Sequence, residues 1–395
     1  MPFNLNFIFE KLRNWLPKAG AEIEAQASEL EAKFTDDPAS SFPPQDRKPI
    51  ERKLQDLPPP DSDRSAIQSA LEEAIGDWLD DQENANSLVI LGSPVDDISA
   101  LLTSAIETWE RREAYAIQLG VSAKRPSDWR SLPEKLRSQL SVKFSEEKRP
   151  ILVVIPDLSQ CFLRCVEGLD GIEYLQNLAA QDRERFWLVG CNDWAWQYLD
   201  CVCQTGAYFE QTVSLPPLKE EQLKDWLSPV SDEFEIDFGE DDRDLDSDEN
   251  WSDRSPNWRS QSELNYFKKL AKVSRGVARV AAQLWLLSLS RVEAESDEVK
   301  SSVVSALSQR VKLPDLPDLT QADRHFLYAL LLQGNTSLSH LSISLDESES
   351  FIRSRIGILR RSDFLHARGD KLHVNPAHFF RIKSNLINNR FLVED

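Results

Sequence analysis

Hydrophobic and polar positions follow two different patterns in the middle of the chain. Continuously apolar runs such as "SLVILG", "ILVVIPDL" and "FWLVGCND" are separated by stretches of ten or more residues with helical spacing. Apolar strands that alternate with helices are typical of a parallel sheet buried on both faces. The pattern therefore predicts a three-layer α/β domain over residues 65–217.

The pattern changes after this domain. Helical spacing continues through "LNYFKKLAKVSRGVARVAAQLWLLSL", within a helical segment that we place at residues 218–310. Residues 311–395 then read as three helices and a hairpin that closes on Gly369 and Asp370. Three helices followed by a β-wing predict a winged-helix domain.

The third helix of that domain has one apolar face. Ile352, Ile356 and Leu359 share its inner side, so the arginines between them are expected nearer to solvent. The hairpin adds further basic residues. The candidate surface for nucleic acid or a protein partner consists of Arg353, Arg360, Arg361, Arg368 and Lys371.

Two segments precede the α/β domain. "MPFNLNFIFEKLRNWLPKAG" has helical spacing of apolar residues and predicts an amphipathic helix within residues 1–34. Docking on a protein and contact with a membrane surface both remain open for this helix. Residues 35–64 contain seven of the 21 prolines, which predicts an extended linker. The side chains expected to make the helix's contacts are Phe3, Phe7, Phe9, Leu12 and Trp15.

Charge narrows the range of functions. The formal net charge is −20, which argues against a protein that coats nucleic acid over its whole surface. Residues 231–253 hold twelve acidic residues and one basic residue. This composition predicts a solvated, disordered insertion, with a docking surface for a basic partner as the alternative.

The cysteines and the apolar runs indicate the compartment. The five cysteines are odd in number and lack paired CxxC spacing, so we expect buried thiols in a reducing cytosol and no metal site. We find neither an apolar run that could span a bilayer nor a leader peptide, and therefore predict a cytoplasmic protein, with peripheral attachment at the inner face of a membrane left open. The cysteines are Cys161, Cys165, Cys191, Cys201 and Cys203.

The segment "LGSPVDDIS" begins like a phosphate-binding loop and then departs from it. Such a loop needs G-x-x-x-x-G-K-[ST], because backbone amides and a lysine bind the phosphates and a hydroxyl holds magnesium. Residues 92–99, called loop 92–99 below, keep Gly92 and Ser99 but place Asp97 at the second glycine and Ile98 at the lysine. Asp96 and Asp97 add negative charge at a helix N-terminus, so we expect them to oppose phosphate and to cap the helix instead.

The order of these elements resembles the AAA+/STAND group of P-loop NTPases, in the branch with a helical lid and a C-terminal winged helix found in origin-recognition ATPases. The resemblance covers residues 65–395. In "ILVVIPDL", Asp157 matches the magnesium-binding aspartate, while Leu158 replaces the catalytic glutamate. Asn192 in "FWLVGCND" is similar to the polar residue that contacts the γ-phosphate, and Arg275 or Arg279 matches the arginine of the lid.

The resemblance implies a vestigial nucleotide site with no catalytic residue. We expect no cofactor, with weak binding of ATP or ADP with magnesium as the alternative. The implied site consists of Gly92, Ser93, Asp97, Ile98, Ser99, Asp157, Asn192, Arg275 and Arg279.

The sequence thus predicts a non-catalytic AAA-like protein, a pseudo-ATPase, that regulates or scaffolds through protein contacts of its lid, its winged helix and its N-terminal helix. Two alternatives stay open: a DNA-binding regulator that uses the winged helix, and a nucleotide-binding switch with an atypical loop. Without a working nucleotide site, the pressure to form a ring with a neighbour's arginine disappears, so we expect a monomer or small oligomer.

Overall fold

The computed structural model describes most of the chain. It covers residues 42–81, 83–120, 125–141, 149–238, 258–293, 302–369 and 371–392. The amphipathic helix predicted within residues 1–34, with Phe3, Phe7, Phe9, Leu12 and Trp15, lies outside the described residues, as does most of the acidic run 231–253.

A parallel sheet forms the centre of the molecule. Its strand order is β2-β3-β4-β1-β5, and every neighbouring pair is parallel. Gly92 at the end of β1 lies beside Asn192 at the end of β4, which brings loop 92–99 next to the polar end of the neighbouring strand. The strands are β1 (Ser87–Gly92), β2 (Ala116–Leu119), β3 (Ile151–Ile155), β4 (Arg185–Asn192) and β5 (Gln211–Ser214).

Helices cover both faces of this sheet. Leu88 and Ile90 of β1 pack with Ile67 and Leu102 on one face, whereas Val89 belongs to the core on the opposite face. Successive strand residues point to opposite faces, so a continuously apolar strand is buried twice. This confirms the three-layer α/β fold that the sequence predicts. Helices α2 (Asp61–Asp80) and α3 (Ile98–Glu107) lie on the first face, and α4 (Leu132–Leu140), α5 (Asp170–Gln181) and α6 (Asp193–Cys203) on the second.

The prediction of an extended linker over residues 35–64 is wrong for its central part. Residues 44–56 form a helix, α1 (Pro44–Asp56), whose Ile50 and Leu54 are buried in the main core. Proline is compatible with the first turn of a helix, where the backbone amide has no partner within the helix. The proline-rich composition therefore concealed a helix that is stabilised by the surface on which it packs.

A helical unit follows the sheet. Lys224 and Glu263 form a buried ion pair with a nitrogen–oxygen distance of 3.3 Å between its first two helices. A small three-stranded sheet in this unit, of order β6-β8-β7, was not predicted. The elements are α7 (Glu220–Glu233), β6 (Asp237–Phe238), α8 (Gln261–Ser274), α9 (Ala278–Ser288), β7 (Leu289–Glu293) and β8 (Ser302–Ala306).

The first part of the run predicted to be a disordered insertion is ordered. Residues 231–233 complete α7, and Phe238 of β6 packs against Tyr266 and Phe267. Apolar residues at the beginning of the run, which the net charge of the whole segment obscured, explain this difference. The remaining acidic residues, 239–253, are outside the described residues.

The C-terminal unit consists of three helices, a hairpin and a final helix. Ile352 and Leu359 are buried, and Ile356 is partly buried, as the helical spacing predicts. In the hairpin, His373 lies directly opposite His366. The elements are α10 (Gln321–Gln333), α11 (Leu338–Leu345), α12 (Glu349–Arg361), β9 (Leu365–Arg368), β10 (Lys371–Val374) and α13 (Phe379–Asn388).

Two of the five cysteines match the prediction of buried thiols. Cys161 and Cys191 are buried, whereas Cys201 is exposed and Cys165 and Cys203 are partly exposed. Among the described residues, no group of three or more His, Cys, Asp and Glu side chains is placed to hold a metal ion. In the same part of the chain, no helix combines the length and the apolarity needed to cross a bilayer.

Candidate functional site

Loop 92–99 connects β1 to α3 and is closed by its own side chains. The Asp96 amide donates to the Ser93 carbonyl at 3.0 Å, which forms a turn. The Asp97 carboxylate then accepts a hydrogen bond of 3.0 Å from the Ala100 amide and caps α3. The side chain therefore takes up an amide at the helix end where a phosphate-binding loop would offer amides to an anion.

Ile98 occupies the position that a lysine has in a phosphate-binding loop, and its apolar side chain is buried. Its side chain is 3% exposed. A Cβ placed at Gly92 would lie 3.3 Å from Ile98 Cδ1, and one at Gly190 would lie 3.1 Å from Ile98 Cγ1. The isoleucine is thus packed between the ends of β1 and β4, and a lysine could not occupy the same volume without burying its charge.

Asp96 links the loop to the start of α9. Burial raises the pKa of its carboxyl to about 6, against the lowering effects of the Arg279 guanidinium and of hydrogen bonds from the Arg279 and Ser93 amides. Burial, and secondarily the charge of Asp96, raises the pKa of Asp63 to about 7. The region next to the loop therefore holds acidic groups that the fold keeps out of water.

Most of the residues predicted to form a nucleotide site line two neighbouring cavities. The first has a volume of about 210 Å³ and lies between loop 92–99, the ends of β3 and β4, α9 and the C-terminal hairpin. The second, also about 210 Å³, lies on the other side of the loop. Asp97, Ile98, Asp157, Asn192 and Arg279 line the first, and Gly92, Ser93 and Arg275 line the second.

Ser99 and Arg275, two of the residues predicted to form the nucleotide site, do not line the first cavity. Ser99 is buried and lines neither of these cavities. Arg275 reaches the second cavity, but its guanidinium lies over the ring of Phe380, 4.7 Å from the ring centroid. Arg279, and not Arg275, is therefore the arginine of this pair that faces Asp97 and Asp157 across the first cavity.

Asp157 lies at the end of β3 and begins a short helical turn. Its carboxylate accepts a hydrogen bond of 2.9 Å from the Ser159 amide. Burial raises the pKa of Asp157, while bonds from Ser159 and the charge of Arg125 lower it. Leu158, at the position of the catalytic glutamate, is completely buried. Position 158 therefore supplies no general base to this cavity.

Both polar ends of the Asn192 side chain are hydrogen-bonded. Its Oδ1 accepts from the Ala195 amide at 2.7 Å and caps α6, and its Nδ2 donates to the Leu332 carbonyl at 3.2 Å. Leu332 belongs to α10 of the C-terminal unit, so Asn192 joins the sheet to that unit. This bond uses one of the two hydrogens of the Asn192 amide group.

Sequence analysis missed the residues that surround Asp157. Arg125 is 3% exposed and donates from Nε to the Phe162 carbonyl at 2.7 Å. Its Nη2 donates to the carbonyls of Ser159 and Gln333. In the sequence, "AKRPSDW" has the polar composition of a surface loop, so no local signal distinguishes Arg125 from an exposed arginine.

The predicted basic surface is smaller in the structure. Arg353, Arg360 and Arg361 are exposed on α12, and Arg353 lies 3.9 Å from Glu349 in an ion pair. Lys371, predicted to belong to the same surface, is buried at the start of β10. The side chain of Arg368 is outside the described residues.

Negative charge predominates around the first cavity. Asp96, Asp97 and Asp157 line it together with Arg279, and His366 and His373 belong to the same lining. Like charges at such short range are costly when water is partly excluded. The lining by itself therefore disfavours an anion that brings no cation with it.

Comparison with known proteins gives distant structural similarity. No protein-family model and no curated protein matches the chain. The Thermotoga maritima RuvB Holliday junction branch migration motor is 15% identical over 81% of this chain and 94% of its own, with a TM-score of 0.30. Aeropyrum pernix ORC2 is 11% identical over 85% and 96%, with a TM-score of 0.38. Cdc6p from Pyrobaculum aerophilum is 11% identical over 83% and 95%, with a TM-score of 0.33.

Proposed function

We propose that this protein is a non-catalytic AAA-like module, a pseudo-ATPase of the cytoplasm, that regulates or scaffolds through protein contacts. The surfaces that we assign to these contacts are its helical lid, its winged helix and its N-terminal amphipathic helix. The observation that carries the proposal is the Asp97 carboxylate, which caps α3 at 3.0 Å from the Ala100 amide. The chain itself thus supplies an anion where nucleotide binding would require a free helix end.

Three further features support the absence of ATP turnover. Ile98 removes the cation that would bind phosphate, and Asp96 adds a nearby negative charge. Leu158 removes the general base. Each lost or opposed charged contact costs about 1–3 kcal/mol, so together they lower nucleotide affinity by several orders of magnitude.

Calorimetric titration of the full chain with magnesium-ATP and magnesium-ADP tests this proposal. At protein concentrations that would reveal millimolar binding, we expect no heat of binding and no increase in melting temperature. Clear binding would favour the alternative of a nucleotide-binding switch. Magnesium-dependent ATP hydrolysis that is lost in an Asp157→Asn variant would contradict the proposal.

DNA binding through the winged helix is the second candidate function. It is favoured by the exposure of Arg353, Arg360 and Arg361 on one helix, a geometry suited to contacts with phosphates. The net charge of −20 and the burial of Lys371 oppose it. Both observations limit any DNA contact to a small surface.

A gel-shift experiment at moderate salt distinguishes these functions. If the winged helix binds DNA, changing the three arginines to alanine should weaken binding by about tenfold or more. The matched control changes Lys268, Lys269 and Lys272 of α8 to alanine and removes the same charge elsewhere. Equal affinity of all three proteins would rule out DNA binding through α12.

The N-terminal helix has its own test. Flotation with liposomes of anionic lipids, with and without residues 1–20, measures membrane contact directly. Flotation that depends on these residues would support attachment to a membrane surface. If the deletion does not change flotation, contact with protein remains as the role of this helix. Light scattering would separately measure the oligomeric state, which we expect to be a monomer or small oligomer.

A further inference from the structure

We propose that Arg125, Gln160 and Asn192 form a latch that holds the C-terminal unit against the α/β core. The three side chains lie at the carboxyl edge of the sheet and donate hydrogen bonds to carbonyl groups at the end of α10. This inference goes beyond the proposed function and does not depend on it, because it concerns how two parts of the chain are held together.

The end of α10 is an acceptor surface. The last carbonyls of a helix have no partner within the helix and carry partial negative charge. The Leu332 carbonyl accepts from Asn192 Nδ2 at 3.2 Å. The Gln333 carbonyl accepts from both Arg125 Nη2 and Gln160 Nε2, each at 3.1 Å. The core therefore supplies donors that the helix lacks.

Gly334 permits this close approach. Its φ of 63° lies in the left-handed region that favours glycine, and it follows the last residue of α10. A Cβ at this position would lie 3.2 Å from Gln160 Nε2 and 3.3 Å from Ser159 Oγ. A larger residue would thus be strained in its backbone and crowded against the latch.

The Gln333 side chain extends the contact into the next helix. It is completely buried, its Oε1 accepts from the Arg164 amide at 3.1 Å, and its Nε2 donates to Ser344 Oγ in α11 at 2.8 Å. His340 of α11 contacts the Ser127 carbonyl through Nε2 at 3.2 Å. Two helices of the C-terminal unit are therefore fixed to the core.

The latch contains a buried cation with a counter-charge. Burial lowers the pKa of Arg125 to about 10, while the Asp157 carboxylate acts in the opposite direction. Removal of the guanidinium would take a donor from the Phe162 and Ser159 carbonyls of the core and leave the Gln333 carbonyl with Gln160 alone, which is costly in a buried interface. Asp157 therefore has a structural role here, as the counter-charge of Arg125, that requires no nucleotide.

The hairpin is tied to the segment that follows α10, because Leu372 of β10 forms a β-bridge with Thr336. His366 and His373, on opposite strands, line the first cavity together with Asp97 and Asp157. While the latch is closed, the hairpin covers this side of loop 92–99. Opening of the latch is then the movement that would uncover the cavity and free the C-terminal unit.

Hydrogen exchange of the full chain, measured by mass spectrometry, tests the latch with an Asn192→Asp variant. Aspartate keeps the oxygen that caps α6 but replaces the amide donor with an acceptor facing the Leu332 carbonyl. We expect exchange in the last turn of α10 and in α11 to accelerate by about tenfold or more, while α6 keeps its protection. An Asn388→Asp variant, with the same added charge at an exposed position, is the control.

An Arg125→Met variant provides the second arm, with Arg130→Met as its control. Arg130 lies in the same segment, is exposed and contacts the Trp129 ring of its own segment. Selective acceleration in α10 and α11 in both latch variants supports the proposal. The proposal is overturned if exchange in α10 and α11 of Asn192→Asp is unchanged, or if exchange accelerates equally over the whole chain. If Arg125→Met does not fold, the result for Asn192→Asp alone decides between these outcomes.

Failure of the latch and failure of the proposed function give different results. The exchange experiment contains no nucleotide, so its outcome does not depend on whether ATP binds. Conversely, calorimetry reports on nucleotide alone. If the exchange experiment supports the latch and the protein binds ATP, this inference stands and the proposal of a pseudo-ATPase is contradicted.

Discussion

Asp97 and Ile98 determine the chemistry of loop 92–99 through two different effects. The carboxylate of Asp97 satisfies an amide at the start of α3, and the side chain of Ile98 fills apolar space between two strands. One effect is electrostatic and the other is packing. We therefore expect that reversal of only one of them does not produce a phosphate site.

An Ile98→Lys variant should demonstrate this point. We expect the free energy of unfolding to fall by about 2–4 kcal/mol, because the new ammonium would be buried among apolar side chains, and we expect no binding of ATP. Urea denaturation and calorimetry measure the two effects. Ile343→Lys, at an apolar side chain that is 43% exposed, should cost much less. Millimolar or tighter ATP binding by Ile98→Lys would contradict the role assigned to Asp96 and Asp97.

The buried carboxyl group of Asp63 should make stability depend on pH. Its pKa is about 7 in the fold against 3.8 for the ordinary group, so folding favours the protonated form. This contribution is fully present below about pH 3.8 and is lost as the pH rises through about 7. At pH 8 the fold must hold a buried charge.

An Asp63→Asn variant should therefore be more stable than the wild type at pH 8, by about 1–3 kcal/mol, and the gain should disappear toward pH 4. Urea denaturation at a series of pH values measures this. Asp61→Asn, in the same turn of α2 but with a side chain that is 87% exposed, is the control. A gain that is independent of pH would show that charge burial is not its cause.

At the scale of elements, α1 shows how a short helix can depend on its surroundings. It contains Pro49 in its interior and has no side-chain hydrogen bond at its N-cap. Its buried face meets α7 and α9, and Lys53 forms an ion pair with Glu233 at 2.6 Å. Burial of Ile50 and Leu54 compensates for the weak helical tendency of the segment.

A Leu54→Ala variant tests the packing of α1. We expect a loss of about 2–4 kcal/mol in the free energy of unfolding, because the deleted methyl groups leave a cavity in the core. Cleavage by trypsin near residues 47–53 should also become faster. The exposed Arg52→Ala is the control for stability. No loss of stability in Leu54→Ala would indicate that α1 does not pack as the structure has it.

At the scale of the whole molecule, one hydrophobic core crosses the boundaries between the sheet, the helical unit and the C-terminal unit. The same cluster contains Leu54 of α1, Val189 of β4, Trp285 of α9 and Leu330 of α10. Units that share a core of this extent lose stability together.

Scanning calorimetry of the full chain should therefore show one unfolding transition, with a calorimetric enthalpy close to the van't Hoff value. Two resolved transitions, with the C-terminal unit melting first, would contradict a shared core. A variant with an open latch provides the useful comparison. In Asn192→Asp the unfolding transition should broaden or split into two, because the latch contributes to the coupling between the C-terminal unit and the α/β core.

Local sequence patterns predicted much of this architecture. Continuous apolar runs identify buried parallel strands because each strand residue faces one of two helical layers, and β1, β3 and β4 occur where their sequences indicate. The identity of Asp97 and Ile98 was also sufficient to predict a capped helix and a missing cation. These properties depend on neighbours in the sequence, which is why the sequence determines them.

Other features were decided only in three dimensions. Lys371 is buried although its neighbours in the sequence do not indicate it, and helix α1 depends on the surface formed by α7 and α9. Arg125 contacts Gln333, 208 positions away in the chain. A donor and an acceptor so far apart in the chain leave no local signal in the sequence. The packing of the C-terminal unit against the sheet was therefore decided by the tertiary structure.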